Sequence, residues 1–203
     1  MKKGCWRIFG PSLLLLLLSF GCGEQGKVDQ GRAIEFDKAK GIVTLIRDAS
    51  PDPNNPDYST LPPLTFAIPA DPEEMGPDPK AGYRMNLDTK KNQIVIFDPS
   101  SQGFKTIQYV LIDCKENIAR EDRLVFDKVK KEPRKFPVVD RKKRTISIYS
   151  ARQKLLITLS VAEEYFALPD RAWEAGDEIR IYSKEKGKAV RLMNISKTDI
   201  YRK

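Results

Sequence analysis

FDKAKGIVTLI at residues 36–46 and VDRKKRTISIY at residues 139–149 share one pattern. In each, an aspartate opens a polar turn rich in basic residues, and mostly apolar or β-branched residues follow the turn. A polar turn between two such runs is typical of a β-hairpin. The chain therefore contains the same hairpin twice.

The similarity between the two regions continues beyond the hairpins, and it predicts two related units. The corresponding segments are residues 64–66 and 157–159, residues 81–87 and 175–181, and the last strands at residues 94–97 and 189–193. Between the third and fourth strands, each copy carries a short acidic segment. In the first copy, Asp71 and Pro72 are typical of a helix start.

The order strand, strand, strand, short helix, strand, strand predicts a five-stranded barrel of the OB type in each copy. We therefore expect an all-β fold of two tandem small OB-like barrels with short helical turns, and a single fused β-sandwich is the alternative. The first unit is expected over residues 31–114. The second, which includes a basic hairpin, is expected over residues 115–203. Within the less regular connection, residues 124–126 are expected to pair with residues 136–139.

Each copy resembles the small OB-like periplasmic metal chaperones of copper and silver efflux systems. The resemblance rests on the hairpins, on residues 64–66 and 80–82, and on residues 175–179. Those chaperones bind metal through His, Met and Trp, whereas this chain has no histidine, so the resemblance implies a barrel without the metal ligands. Across its full length, the chain resembles an uncharacterised family of bacterial lipoproteins with a domain of unknown function.

The first 21 residues are typical of an export signal. Lys2, Lys3 and Arg7 precede a leucine-rich run, and no acidic residue occurs among them. The apolar run is shorter than the roughly 20 residues that a membrane-spanning helix needs. We therefore expect residues 1–21 to be a signal peptide.

Cys22 follows Gly21 directly after the leucine-rich run, and this arrangement resembles the lipobox of bacterial lipoproteins. Ser19 and Phe20 depart from the family's preferred residues, so secretion with a free Cys22 is the alternative. Lipidation of Cys22 would make residues 22–30 an anchor and linker, with the protein facing the periplasm. Gly23 after the cysteine implies the outer membrane rather than the inner one.

The absence of histidine removes Ser-His and Cys-His nucleophile pairs and the usual proton shuttle at neutral pH. The acid pairs at residues 73–74 and 163–164 are interpreted as capping or solvated residues, and Cys114 as a buried thiol near a strand end. Prolines interrupt the acidic segment at residues 48–57, which is interpreted as a stiff loop rather than a calcium site. We expect no catalytic residue, no metal, no cofactor and no enzyme activity.

Charge is concentrated in one segment of the mature chain. Loss of three basic residues with the signal leaves 33 Lys and Arg against 28 Asp and Glu. Between residues 128 and 144, only Glu132 and Asp140 oppose nine basic residues, a density that predicts binding to an anionic lipid or to an envelope protein. The nine are Lys128, Lys130, Lys131, Arg134, Lys135, Arg141, Lys142, Lys143 and Arg144.

The alternative for this basic segment is a pair of solvated turns that only discourage edge pairing. Nucleic acid is not expected as a partner, because the chain is expected to be exported and no aromatic residues are interleaved with the basic ones. The sequence as a whole predicts a noncatalytic scaffold or partner-binding module of the cell envelope. A carrier of a soft metal ion or of an anionic envelope ligand is the alternative.

Overall fold

The computed structural model describes residues 25–52 and 55–198, and the expected signal peptide and Cys22 lie outside them. Within this part of the chain, no helix is both long and apolar enough to cross a bilayer. Short 3-10 turns occur at Pro72–Glu74, Glu163–Ala167 and Asp170–Ala172. The described residues form thirteen strands: β1 (Lys27–Asp37), β2 (Ile42–Arg47), β3 (Leu64–Ala67), β4 (Arg84–Asp88), β5 (Gln93–Asp98), β6 (Gly103–Lys115), β7 (Phe126–Asp127), β8 (Glu132–Pro133), β9 (Val138–Asp140), β10 (Thr145–Ser150), β11 (Leu155–Val161), β12 (Glu178–Glu185) and β13 (Lys188–Asn194).

Five strands close into a barrel in the order β1-β12-β13-β3-β2. The barrel thus combines the first three strands of the first copy with the last two strands of the second. Strands β4 and β5, which follow β3 in the sequence, lie instead in a six-stranded sheet of order β4-β5-β6-β11-β10-β9. The two copies have therefore exchanged their last two strands.

The predicted all-β fold is confirmed, but the arrangement of two tandem barrels is not. The first three strands of the second copy lie in the open six-stranded sheet, with β6 between β5 and β11. Strands from both sides of the predicted division at residues 114 and 115 occur in the barrel and in the sheet. Equivalent strands of a repeat present similar edges, so β12 and β13 can take the place of β4 and β5, as in domain swapping.

Two local predictions are wrong. β1 begins at Lys27, inside the expected linker, because residues 27–32 pair with residues 178–183 of β12. β7 pairs with β8, whereas β9 pairs with β10, so residues 124–126 do not pair with residues 136–139.

Three clusters of buried apolar side chains hold the body together. One fills the barrel, a second covers the six-stranded sheet, and a third lies between them and includes Ile34, Ile46 and Met85. Trp173 is fully buried in the sheet cluster, together with Phe166. Both aromatic side chains therefore belong to the core of the sheet.

One type of five-residue turn recurs between strands and explains why the hairpins form. The side-chain oxygen of its first residue accepts a backbone N–H two or three residues later, which is how Asp and Ser organise turns. Its fifth residue has a positive φ, between 51° and 67°. The turns occupy residues 37–41, 88–92, 98–102, 127–131, 140–144 and 150–154.

The chain segments that exchange strands cross at the two Ala-Gly dipeptides of the repeat. The backbone N–H of Gly82 donates to the carbonyl oxygen of Ala33 at 3.1 Å, and Ala33 donates to the carbonyl of Asp177 at 2.9 Å. Tyr83 and Ala175 form an isolated β-bridge beside them. Backbone from β1 and from both Ala-Gly segments therefore meets at one point.

Glycine is required at this crossing because there is no space for a side chain. A Cβ on Gly176 would lie 1.9 Å from the carbonyl oxygen of Ala33, and a Cβ on Gly82 would lie 2.5 Å from the carbonyl oxygen of Glu174. Both obstacles are backbone atoms, which cannot rotate away as a side chain can. The glycines thus allow the close approach.

We expect Gly176→Ala to destabilise the protein by about 3 kcal/mol or more, because the added methyl group forces the crossing apart. Urea unfolding measures the change. Gly103→Ala is the matched control, since its Cβ would meet nothing closer than the Ser101 hydroxyl at 3.5 Å. Equal losses in the two variants would contradict the role of the crossing.

We expect Lys154→Gly to stabilise the protein by about 0.5–1 kcal/mol, because glycine adopts a positive φ without the steric cost that lysine has there. Thermal unfolding measures the gain. Lys90→Gly, at a turn position without positive φ, is expected to give no gain. A gain there equal to that of Lys154→Gly would contradict the explanation.

Candidate functional site

The nine basic residues of the predicted binding segment are all exposed and lie on two hairpins. The first hairpin joins β7 to β8, and the second joins β9 to β10. The first carries Lys128, Lys130 and Lys131, with Arg134 and Lys135 just after it, and the turn of the second carries Arg141, Lys142, Lys143 and Arg144.

The two arginines of the second hairpin have structural contacts. The Arg141 side chain contacts the Asp170 carboxylate at 2.7 Å and donates to the carbonyl oxygens of Phe166 and Leu168, both at 3.1 Å. Arg144 contacts Glu163 at 2.8 Å. These bonds tie the turn to the neighbouring 3-10 turns, so the charges of both arginines are partly balanced within the chain.

The lysines at the two tips differ from the arginines. Lys128, Lys130, Lys131 and Lys142 form no ion pair with any residue that the structure describes. Between the first two lies Val129, whose side chain is 93% exposed at the tip of the first hairpin. The tip therefore presents one apolar side chain with ammonium groups on both sides.

A second concentration of positive charge lies in a cleft of about 1090 Å³ between the barrel and the sheet, beside the crossing. We call it the arginine cleft. Strands β1 and β4, the turn after β10 and the start of β12 contribute to its walls. The cations that line it are Arg32, Arg84, Arg120, Arg152 and Lys197.

Arg84 is the most deeply placed cation of the cleft, with a side chain only 7% exposed. Its Nε donates to the carbonyl oxygen of Trp173 at 3.0 Å. No carboxylate among the described residues pairs with it. Burial, together with the like charge of Arg32, lowers the pKa of Arg84 to about 9, so the guanidinium is charged at neutral pH although its surroundings disfavour the charge.

Arg32 reaches the same cleft from the barrel. One of its terminal nitrogens donates to the carbonyl oxygens of Arg84 and Met85, at 2.9 and 2.8 Å. Its guanidinium lies 4.3 Å from the ring centre of Tyr58. Burial lowers the pKa of Arg32 and Arg152 adds to this effect, whereas Tyr58 and Glu178 act in the opposite direction.

The acidic residues of the cleft already have partners. Glu178 pairs with Arg152 at 3.0 Å. The Asp177 carboxylate accepts the backbone N–H of Lys80 at 2.8 Å and the amide of the buried Asn194 at 2.9 Å. Neither carboxylate compensates the charge of Arg84.

Arg32 and Arg84 were not predicted from the sequence. Both lie within strands, where each reads as an isolated charge, whereas the basic segment is a visible run. The repeat contained one indication, since the position of Arg84 corresponds to Glu178 in the other copy. A change of charge sign at equivalent positions suggests a specific contact in one of the copies.

Other predicted residues have different outcomes. Cys114 lies one residue before the end of β6 and is partly exposed rather than buried. Asp71 caps its 3-10 turn by accepting the N–H of Glu73, as expected. The neighbouring Glu74 is bound by Arg191, and this hydrogen bond lowers the pKa of Glu74. Among the described residues, no group of three or more His, Cys, Asp or Glu is placed to hold a metal ion.

No curated protein and no solved structure matches the chain. One family model matches residues 24–203, and this match supports neither the lipid anchor nor the resemblance to metal chaperones. Because this match covers most of the chain, the protein belongs to the family described as a domain of unknown function, DUF4881.

Proposed function

We propose that the protein is a noncatalytic binding module of the cell envelope, attached through a lipid on Cys22 and facing the periplasm at the outer membrane. The export pattern and the lipobox-like pattern before Cys22 support this location. The lack of histidine supports a role in binding rather than in catalysis.

In this proposal, the tips of the two basic hairpins hold the body against an anionic lipid surface. The observation that carries the proposal is the 93% exposed Val129 between Lys128 and Lys130. An apolar side chain gains by entering the boundary between headgroups and acyl chains, while the flanking ammonium groups stay near the phosphates. An acidic envelope protein is the alternative partner. It would provide a less apolar environment for the exposed valine than the membrane does.

A soft metal carrier has weaker support. Met85, one of the few thioethers available, is 5% exposed and packs in the cluster between barrel and sheet. Calorimetric titration with Cu(I) or Ag(I) tests this alternative, and absence of both heat and stabilisation would remove it.

We expect the combined change Lys128→Gln, Lys130→Gln, Lys131→Gln and Lys142→Gln to weaken binding to anionic vesicles at least about tenfold, because each lysine near such a surface contributes about 1 kcal/mol. Sedimentation with phosphatidylglycerol-containing vesicles measures the affinity. Cys22→Ser protein lacking the signal is used, so that no acyl chain masks the effect. Wild-type binding should also weaken as salt is raised.

The matched control removes four exposed lysines elsewhere, Lys90, Lys91, Lys184 and Lys186, with the same change in net charge. It should retain most of the binding. Equal losses in the two quadruple variants would show that total charge alone matters and would contradict the proposed surface. Val129→Ser should weaken binding by itself, while vesicles without anionic lipid should bind neither wild type nor variant strongly.

The lipid anchor is tested separately in bacteria that express the full chain. Metabolic labelling with a palmitate analogue should mark the wild-type protein and leave Cys22→Ser unlabelled. Cys5→Ser, which changes a cysteine inside the expected signal, should remain labelled. An unlabelled wild-type protein would contradict the anchor without affecting the proposed role of the lysines.

A further inference from the structure

We propose that the arginine cleft binds an oxyanion group, a carboxylate or a phosphate, of a hydroxyl-rich organic molecule such as a sugar acid or a sugar phosphate, with Arg32 and Arg84 as its main ligands. This site is distinct from the basic hairpin tips, and the proposal is independent of membrane docking.

The positive charge of Arg84 is buried without an acidic partner among the described residues. A buried charge without a partner is costly, and proteins normally pair such groups. Among the described residues, Arg32, another cation, is the only charged group that acts on Arg84, and the acids of the cleft are bound elsewhere. An anion between the two arginines would compensate both charges.

Several N–H groups of the two arginines have no hydrogen-bond acceptor among the described residues. Arg84 uses its Nε on the carbonyl of Trp173, which leaves its two terminal nitrogens without an acceptor among the described residues. The Nε of Arg32 is buried and also lacks an acceptor. Guanidinium groups can only donate, and their planar fork matches the oxygen pairs of carboxylates and phosphates. These arginine donors therefore lack acceptors within the described residues, and an oxyanion would supply them.

A smaller cavity of about 100 Å³ adds to this pattern. Arg84 and Trp173 both line it. The indole Nε1 of Trp173 is buried without an acceptor in the part of the chain that the structure describes. Arg84 thus lines both the arginine cleft and this smaller cavity, and the second of these has a further donor without an acceptor.

The volume and the lining of the cleft indicate what kind of molecule carries the oxyanion. A cleft of about 1090 Å³ is at the upper end of the size range of small-molecule sites, roughly 300–1,000 Å³. Amide and hydroxyl side chains line much of it, together with two tyrosines. Such walls suit a molecule with many hydroxyl groups better than an apolar one. These side chains are Asn86, Ser150, Gln153, Ser196, Tyr58 and Tyr149.

The experiment measures thermal unfolding of the mature protein with glucuronate, glucose 6-phosphate, glucose or inorganic phosphate, at constant ionic strength set with chloride. Binding to the folded state raises the midpoint of unfolding as ligand concentration increases. We expect glucuronate, glucose 6-phosphate or both to raise it, and glucose and chloride to leave it unchanged. Inorganic phosphate should act more weakly than glucose 6-phosphate. No shift with either sugar anion would overturn the proposal.

Arg84→Met should weaken binding of the active sugar anion at least about tenfold, because a buried charged partner is lost. Arg32→Gln should weaken it as well. Arg123→Gln, which removes an exposed arginine outside the cleft, is the control and should bind like wild type. Unchanged affinity in both cleft variants would locate the anion elsewhere and overturn the proposal.

A direct measurement on the wild-type protein covers the case in which the variants fold poorly. The Nε–H resonances of Arg84 and Arg32 in a ¹⁵N-correlated NMR spectrum should shift as the sugar anion is added, whereas that of Arg123 should not. A titration that stabilises the protein without moving the two cleft resonances would contradict the assignment.

Discussion

The structure depends on one close crossing of backbone, at which Gly82, Gly176 and Ala33 approach each other. A single Cβ at Gly176 would collide with the carbonyl of Ala33. The two Ala-Gly dipeptides are equivalent positions of the repeat, so the crossing is formed by the repeat itself. The strands that follow them are exchanged between the copies: β12 of the second copy lies in the barrel, and β4 of the first copy lies in the sheet.

The crossing also determines where the charged groups lie. Because β4 leaves the first copy at this point, Arg84 lies against the barrel, and the carbonyl groups of Arg84 and Met85 become acceptors for Arg32 on β1. The guanidinium of Arg171 packs 4.6 Å from the ring centre of Tyr83, and Arg171 donates to the carbonyl oxygen of Ile34. Arginines that bind backbone carbonyls, rather than carboxylates, therefore connect the barrel to the sheet and leave positive charge in the cleft between them.

Local features of this fold were readable from the sequence, and the pairing of distant strands was not. The hairpins follow from Asp37, Asp140 and their counterparts, whose carboxylates organise each turn through bonds to nearby backbone. The repeat gave the order of strands, but it could not decide whether β12 or β4 joins β1, because equivalent strands offer similar edges. The basic segment was visible because its nine basic residues lie within 17 positions of one another in the sequence.

The cleft could not be read from the sequence, because its key contacts join distant positions. Arg32 and the carbonyl of Arg84 are 52 residues apart, and Arg84 and Trp173 are 89 residues apart. Each contact links one copy to the other or one sheet to another, and only the exchange of strands brings these residues together. Sequence patterns compare residues that are close along the chain. They therefore reveal runs of charge but not isolated arginines that become buried in the fold.

If the body is held by its N-terminal segment, as proposed above, the position of β1 has a mechanical consequence. β1 is flanked on both sides, by β2 and by β12, and both neighbours run antiparallel to it. Tension on the residues before Lys27 would load two rows of hydrogen bonds lengthwise and together, instead of opening one row bond by bond. The barrel would therefore bear the strain first, and the cleft would be affected directly through Arg32, which lies on β1 and binds the carbonyl oxygens of Arg84 and Met85.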